Sequence, residues 1–225
     1  MVPGKRYLYL NSNVAIFIIL TLLAVINGTV FGLDKMLLTS DAGSYNSYAT
    51  NLALGNGYHL YNSGFSTYRE PAYPFFVSII YSIFGIQNLT AVKIAQMLLV
   101  AGIAFFIYLS FRYLNYKNTG LAAAGITSAM PYFGYYASIM MSEIFFAFLI
   151  VVSFYLLLRI LSENVKLLPY ILLGLILGVA TLTKSALLLS PLFVALIIFY
   201  FRRDLHKTLF FLAVYILCVG LDWLC

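Results

Sequence analysis

Between residues 34 and 85 the chain gathers side chains that can move protons and hold anions: Asp41, Tyr45, Tyr48, His59, Arg69 and Glu70. Two more ionisable residues, Glu143 and Lys184, stand between long apolar runs. Carboxylates and an imidazole exchange protons with a bound molecule, whereas a guanidinium or ammonium grips an anion. A polar loop this dense in reactive groups, carried by otherwise apolar sequence, is where chemistry is expected.

Local sequence positions these groups. Ser40 or Asp41 can cap a helix, because a short oxygen side chain satisfies the free amides of a first turn. From Asp41, residues Tyr45, Tyr48 and Leu52 recur at helical spacing, so a carboxylate and two phenols share one face. Gly55-Asn56-Gly57 ends that helix, since glycine tolerates the left-handed conformation a helix terminus often needs. Pro71 then stands where prolines start helices, and the apolar run 73–84 predicts a second helix closed by Gly85. At about 1.5 Å per residue it is near 20 Å long, short of the roughly 30 Å hydrocarbon core. Both helices of the loop 34–90 are therefore expected at the membrane interface.

Composition sets the class. Hydrophobic residues make up 63% of the 225 and charged residues 9%, and the mean hydropathy is +0.97. That excludes a soluble domain and predicts an all-α, polytopic membrane protein. The net charge of +6 is no nucleic-acid footprint, because the bases collect in short connections where the positive-inside rule places them. Apolar runs predict about seven transmembrane helices, at 13–33, 91–111, 120–138, 144–161, 167–183, 186–201 and from 208 onward. Lys5 and Arg6 mark the inner side of the first, a retained signal anchor. Arg112 with Lys117, Arg159 with Lys166, and Arg202, Arg203 and Lys207 mark the other inner connections. The loop 34–90, Glu143 and Lys184 then share the outer face, and their convergence on one polar cavity is expected. Each acid alone can equally be a solvated interfacial residue. Cys218 and Cys225 share no metal or redox spacing and read as small apolar side chains. Asn88-Leu89-Thr90 is an outward glycosylation sequon.

The run Asp41-x-x-x-Tyr45, Ala49-x-x-Leu52-x-x-Gly55-x-Gly57, Arg69-Glu70-Pro71-Ala72-Tyr73-Pro74 and Phe84-Gly85 resembles the first outer loop of GT-C-type integral-membrane glycosyltransferases. The nearest groups are the protein O-mannosyltransferases and the aminoarabinose transferases of lipid A, of glycosyltransferase family 39 type. Glu143 is similar to their acid in the second outer loop, and Gly174-x-x-x-Gly178-x-x-x-Leu182-Thr183-Lys184 to a later helix ending in a base. Ala42 follows Asp41 where many members carry a second acid, and Ala72 stands where glycine is common. Family members continue through more spans, so the resemblance implies an N-terminal module, residues 1–225, cut within span seven.

The resemblance implies transfer of a glycosyl group from a polyprenyl-phosphate sugar to a glycan, lipid or protein acceptor on the extracytoplasmic face, by an inverting displacement. Asp41 is the expected catalytic base, with a helix cap as its other reading. Arg69 and Lys184 are expected to meet the phosphate, although Lys184 can equally snorkel to the headgroups. Glu70, Tyr45 and His59 are expected to line the substrate site. Glu143 is the expected ligand of a divalent metal ion, the one cofactor considered, or else it orients the acceptor or opens span four. The membrane is the plasma (inner) membrane in a bacterium and the endoplasmic reticulum in a eukaryote. The rival readings are a non-catalytic lipid-binding or transport module, a structural membrane subunit, or an inactive fragment of such an enzyme.

Overall fold

A computed structural model describes residues 3–34, 36, 38, 40–60 and 68–220. Its ten α-helices are α1 (Pro3–Val30), α2 (Ser40–Ala53), α3 (Ala72–Phe84), α4 (Leu89–Tyr113), α5 (Lys117–Ala129), α6 (Pro131–Ala137), α7 (Glu143–Ser162), α8 (Leu168–Thr181), α9 (Ser190–Arg202) and α10 (Leu205–Gly220). A 3-10 turn, Ser185–Leu187, precedes α9. The side chains of Lys5 and Arg6, the segment 61–67 and Cys225 lie outside the described residues.

Among the described residues four helices are long and apolar enough to cross a bilayer: Ser12–Val30 within α1, Leu89–Tyr113, Glu143–Ser162, and Ser185–Arg202. The protein is thus an all-α, integral, multi-pass membrane protein. The remaining three of the seven expected spans correspond to α5 with α6, α8 and α10, which are shorter. The interfacial helix read over 73–84 is α3, of 13 residues, and Gly85 closes it at φ 101° with its N–H on the Tyr81 carbonyl. Gly55 and Gly57 follow α2 with φ of 77° and 90°, the left-handed geometry their sequence required.

The chain forms two compact units, Met1–Ala42 with Asn88–Ile144, and Gly43–Gln87 with Phe145–Cys225. In the first, Leu20, Ala104, Tyr108 and Ala124 make a buried cluster between α1, α4 and α5. Residues 120–138, expected as one span, are two helices. Met130 is extended (φ −68°, ψ 121°) and Pro131 opens α6. Proline lacks an N–H and drives the residue before it out of the α region. Two buried amides meet carbonyls at the two ends of α6. Asn27 Nδ2 of α1 donates to the Ser128 and Met130 carbonyls at 3.0 and 2.8 Å. Gln96 Nε2 of α4 donates to those of Ala137 and Ile139 at 3.0 and 2.9 Å. Gly134 permits the approach, because a Cβ there would lie 2.7 Å from the Asn27 carbonyl oxygen.

In the second unit small residues do the packing, as is usual where lipid removes the hydrophobic drive between helices. A Cβ on Gly174 of α8 would lie 2.7 Å from the Phe211 carbonyl of α10, and one on Gly178 would strike Cys218 at 2.7 Å. Tyr215 of α10 ties the same helices, its hydroxyl 3.2 Å from Thr181 Oγ1 and 3.0 Å from the Leu188 carbonyl that it donates to. Span six, read from 186, begins instead as the 3-10 turn. The α-helix starts at Ser190, with Pro191 in its first turn.

Candidate functional site

Tyr45, His59, Arg69, Glu70 and Lys184 belong to the second unit, and Asp41 and Glu143 to the first. Within the second unit the Arg69–Pro71 stretch is fixed from two sides. On the α8 side, the Ala72 N–H donates to the Leu182 carbonyl at 3.1 Å. Ser185 Oγ donates to Glu70 Oε1 at 3.2 Å, with the Ser185 N–H a longer 3.5 Å from the same oxygen. The Arg69-Glu70 dipeptide and the Lys184-Ser185 dipeptide, over a hundred residues apart in the chain, are thereby neighbours.

On the α2 side, the contacts are aromatic. The Arg69 guanidinium lies 5.4 Å from the centre of the Tyr45 ring and 4.8 Å from that of Tyr68. Tyr45, itself buried, meets Tyr73 of α3 edge-on at 5.0 Å. The Tyr58 hydroxyl donates to the Arg69 carbonyl at 2.8 Å, and its ring stacks on Tyr48 of α2 at 4.2 Å. Flat rings favour arginine over lysine here, since a planar guanidinium stacks while an ammonium does not.

The angle between α2 and α3 is set by a polar pair inside the unit. The Tyr81 hydroxyl donates to Asn46 Oδ1 at 2.6 Å. Burial pushes the Tyr81 phenol well above its ordinary value, so it stays a neutral donor. Lys184 extends from the end of α8 with its ammonium 5.6 Å from the Phe146 ring centre of α7. Phe146 is one residue from Phe145, which stacks on Phe76 of α3 at 4.8 Å. His59 is anchored through its backbone, Asn51 Nδ2 donating to its carbonyl at 3.0 Å. Its Nδ1 is buried with no hydrogen-bond partner among the described residues.

Asp41 sits in the first turn of α2 and Glu143 in the first turn of α7. Both are places where the positive end of a helix favours a carboxylate. Glu143 follows a segment that Gln96 pins through the Ala137 and Ile139 carbonyls. Among the described residues no three His, Cys, Asp or Glu side chains come close enough to hold a metal ion. The sequon asparagine, Asn88, caps α4, its Oδ1 accepting from the Ala91 N–H at 3.1 Å.

Sequence reasoning passed over Ser185, Asn46, Tyr68 and Tyr81. Only Ser185 carried a signal, its place directly after Lys184. The others gain their roles from packing that periodicity does not encode.

No curated protein and no solved structure matches the chain. A family model does, over residues 69–222. That stretch begins at Arg69 and takes in Glu70, Glu143 and Lys184, while Asp41, Tyr45 and His59 precede it. It covers well over half of a helical membrane chain that already carries paired basic segments at one packed junction. The chain therefore belongs to the dolichyl-phosphate-mannose-protein mannosyltransferase family and is a membrane glycosyltransferase of GT-C type.

Proposed function

We propose that the chain transfers a glycosyl group from a polyprenyl-phosphate sugar to a hydroxyl or amine of a glycan, lipid or protein acceptor on the extracytoplasmic side of the membrane. The observation that carries this reading is the pinned junction of Arg69-Glu70 with Lys184-Ser185. Two cations on separate segments suit an anion with several oxygens, and here both segments are held before any ligand arrives. Arg69 is preset by two rings and meets a phosphate through its fork, and Lys184 adds a point charge. Glu70 holds the Lys184 turn through Ser185. Tyr45 supports the guanidinium, and His59 lines the loop beside Gly57.

In the reaction Asp41 takes the proton of the acceptor hydroxyl or amine. The acceptor atom forms a bond to the anomeric carbon as the bond from that carbon to the phosphate oxygen breaks. The electron pair leaves with the polyprenyl phosphate, whose charge Arg69 and Lys184 meet, and the anomeric configuration inverts. General-base catalysis contributes about 10²–10⁴ in rate.

Asp41→Asn tests this. It removes the base yet keeps the shape and the hydrogen-bonding reach needed near a helix start. Transfer from a radiolabelled polyprenyl-phosphate sugar should fall by at least about 10²-fold, with membrane insertion and donor binding near the parental level. Transfer at the parental rate would return Asp41 to a purely structural part.

A further inference from the structure

Away from Lys184, at the other ends of α8 and α9, α7 and α9 finish and α8 and α10 begin. Five bases collect there: Arg159, Lys166, Arg202, Arg203 and Lys207. Two are neutralised locally. Arg159 pairs with Glu163 at 3.4 Å and Lys207 with Asp204 at 3.1 Å. Lys166, Arg202 and Arg203 have no carboxylate partner among the described residues. The two connections that carry them are tied together, Arg202 donating to Asn164 Oδ1 at 3.3 Å and Lys207 Nζ to the Val165 carbonyl at 3.4 Å. Lys166 is the next residue after Val165, so the connections that carry these three bases are in contact.

Below them runs an apolar track. From Leu189, which precedes α9, Phe193, Leu196 and Tyr200 follow at intervals of three or four, and each of the four is more than 60% exposed. The track ends at Arg203, the left-handed cap of α9 (φ 54°), whose guanidinium lies 5.5 Å from the Tyr200 ring centre. A cationic end on an exposed apolar helix face complements a lipid with an anionic head. Unpaired bases next to membrane helices attract such heads at about 1 kcal/mol apiece.

We propose that this end of the unit holds one anionic phospholipid of the surrounding membrane, its phosphate among Lys166, Arg202 and Arg203 and one acyl chain along α9. The site is separate from the glycosyl-transfer junction and does not rest on that reading. The occupant is a membrane lipid rather than free phosphate, because the α9 track serves only a tail.

Native mass spectrometry of the full chain, titrated with phosphatidylglycerol or phosphatidylcholine in detergent, reads the site directly. The parent should bind one phosphatidylglycerol saturably and prefer it over phosphatidylcholine. K166Q/R202Q/R203Q should bind it on the order of a hundredfold more weakly, each lost charge costing about fivefold. R202K/R203K, which keeps the charge, should stay within a few-fold of the parent and shows that the tied connections still fold. K117Q, which removes a base from the first unit, should leave the affinity unchanged, and inorganic phosphate at millimolar concentration should not displace the lipid. Equal binding of the two lipids, undiminished binding by the triple variant, an equal loss in K117Q, or displacement by inorganic phosphate would each overturn the proposal.

Discussion

Arg69 has two separable attributes in this structure, a charge and a flat face, and substitution can remove them one at a time. Arg69→Gln removes the charge. A charge-assisted hydrogen bond is worth about 1.5–3 kcal/mol, so donor affinity should fall by about 10- to 150-fold. Arg69→Lys keeps the charge but loses the stack on Tyr45 and Tyr68. At about 0.5–1 kcal/mol for the contact with exposed Tyr68 and about 2 kcal/mol for that with buried Tyr45, the loss should be about 150-fold at most. Tyr45→Phe keeps the ring and should be neutral, whereas Tyr45→Leu should resemble Arg69→Lys. The assay is initial-rate transfer at varied donor concentration, read alongside thermal unfolding of each variant. The expected signature is a raised donor KM with a nearly unchanged Tm. A parental KM in Arg69→Gln, or a loss in Tyr45→Phe as large as in Tyr45→Leu, refutes the preset guanidinium.

Three further outcomes are expected. In a background lacking Cys218 and Cys225, a cysteine at Asn56 should label from outside the membrane and one at Asn115 from inside; labelling of both from one side would sink the orientation. Gln96→Leu strips the donor from two carbonyls beside a fully buried position. At about 0.6–1.7 kcal/mol per bond in a membrane protein, unfolding should become easier by about 1–3 kcal/mol, and an unchanged unfolding midpoint would show the α6 clamp to be idle. Asp204 is held below its ordinary value, first by the Lys207 backbone N–H and then by its ammonium. A depressed carboxylate stabilises the fold above its unfolded pKa and loses that contribution as pH falls through the folded one. Below about pH 4 the parent should therefore lose stability that Asp204→Asn never had, and parallel pH–stability curves for the two would refute the linkage.

Much of the scaffold was legible because membrane sequences are constrained twice, by hydropathy and by backbone satisfaction. The helix from Asp41, its glycine-rich stop, the short apolar helix after Pro71 and the base ending α8 were all visible as pattern. The break at Met130 was not, although Pro131 stood in plain view. A proline within an apolar run either kinks a helix or ends it, and the choice depends on whether something nearby can take the freed carbonyls. Asn27 does so from α1, 101 and 103 residues away in the chain. That amide is not marked by periodicity. The Tyr45–Arg69 and Glu70–Ser185 contacts were hidden for the same reason, since sequence gives the residue types but not the rotation of α2 against α3.

That rotation is held by a buried phenol bonded to a half-buried amide. Tyr81 and Asn46 could be replaced by two leucines at little cost in packing, but leucines would accept several registers between α2 and α3. A single 2.6 Å hydrogen bond accepts one. With α2 so fixed, Tyr45 comes edge-on to Tyr73 and face-on to Arg69. The buried phenol thus bears on function through geometry alone. It touches no substrate, yet it orders the ring against which the phosphate-binding guanidinium of the proposed reaction is held.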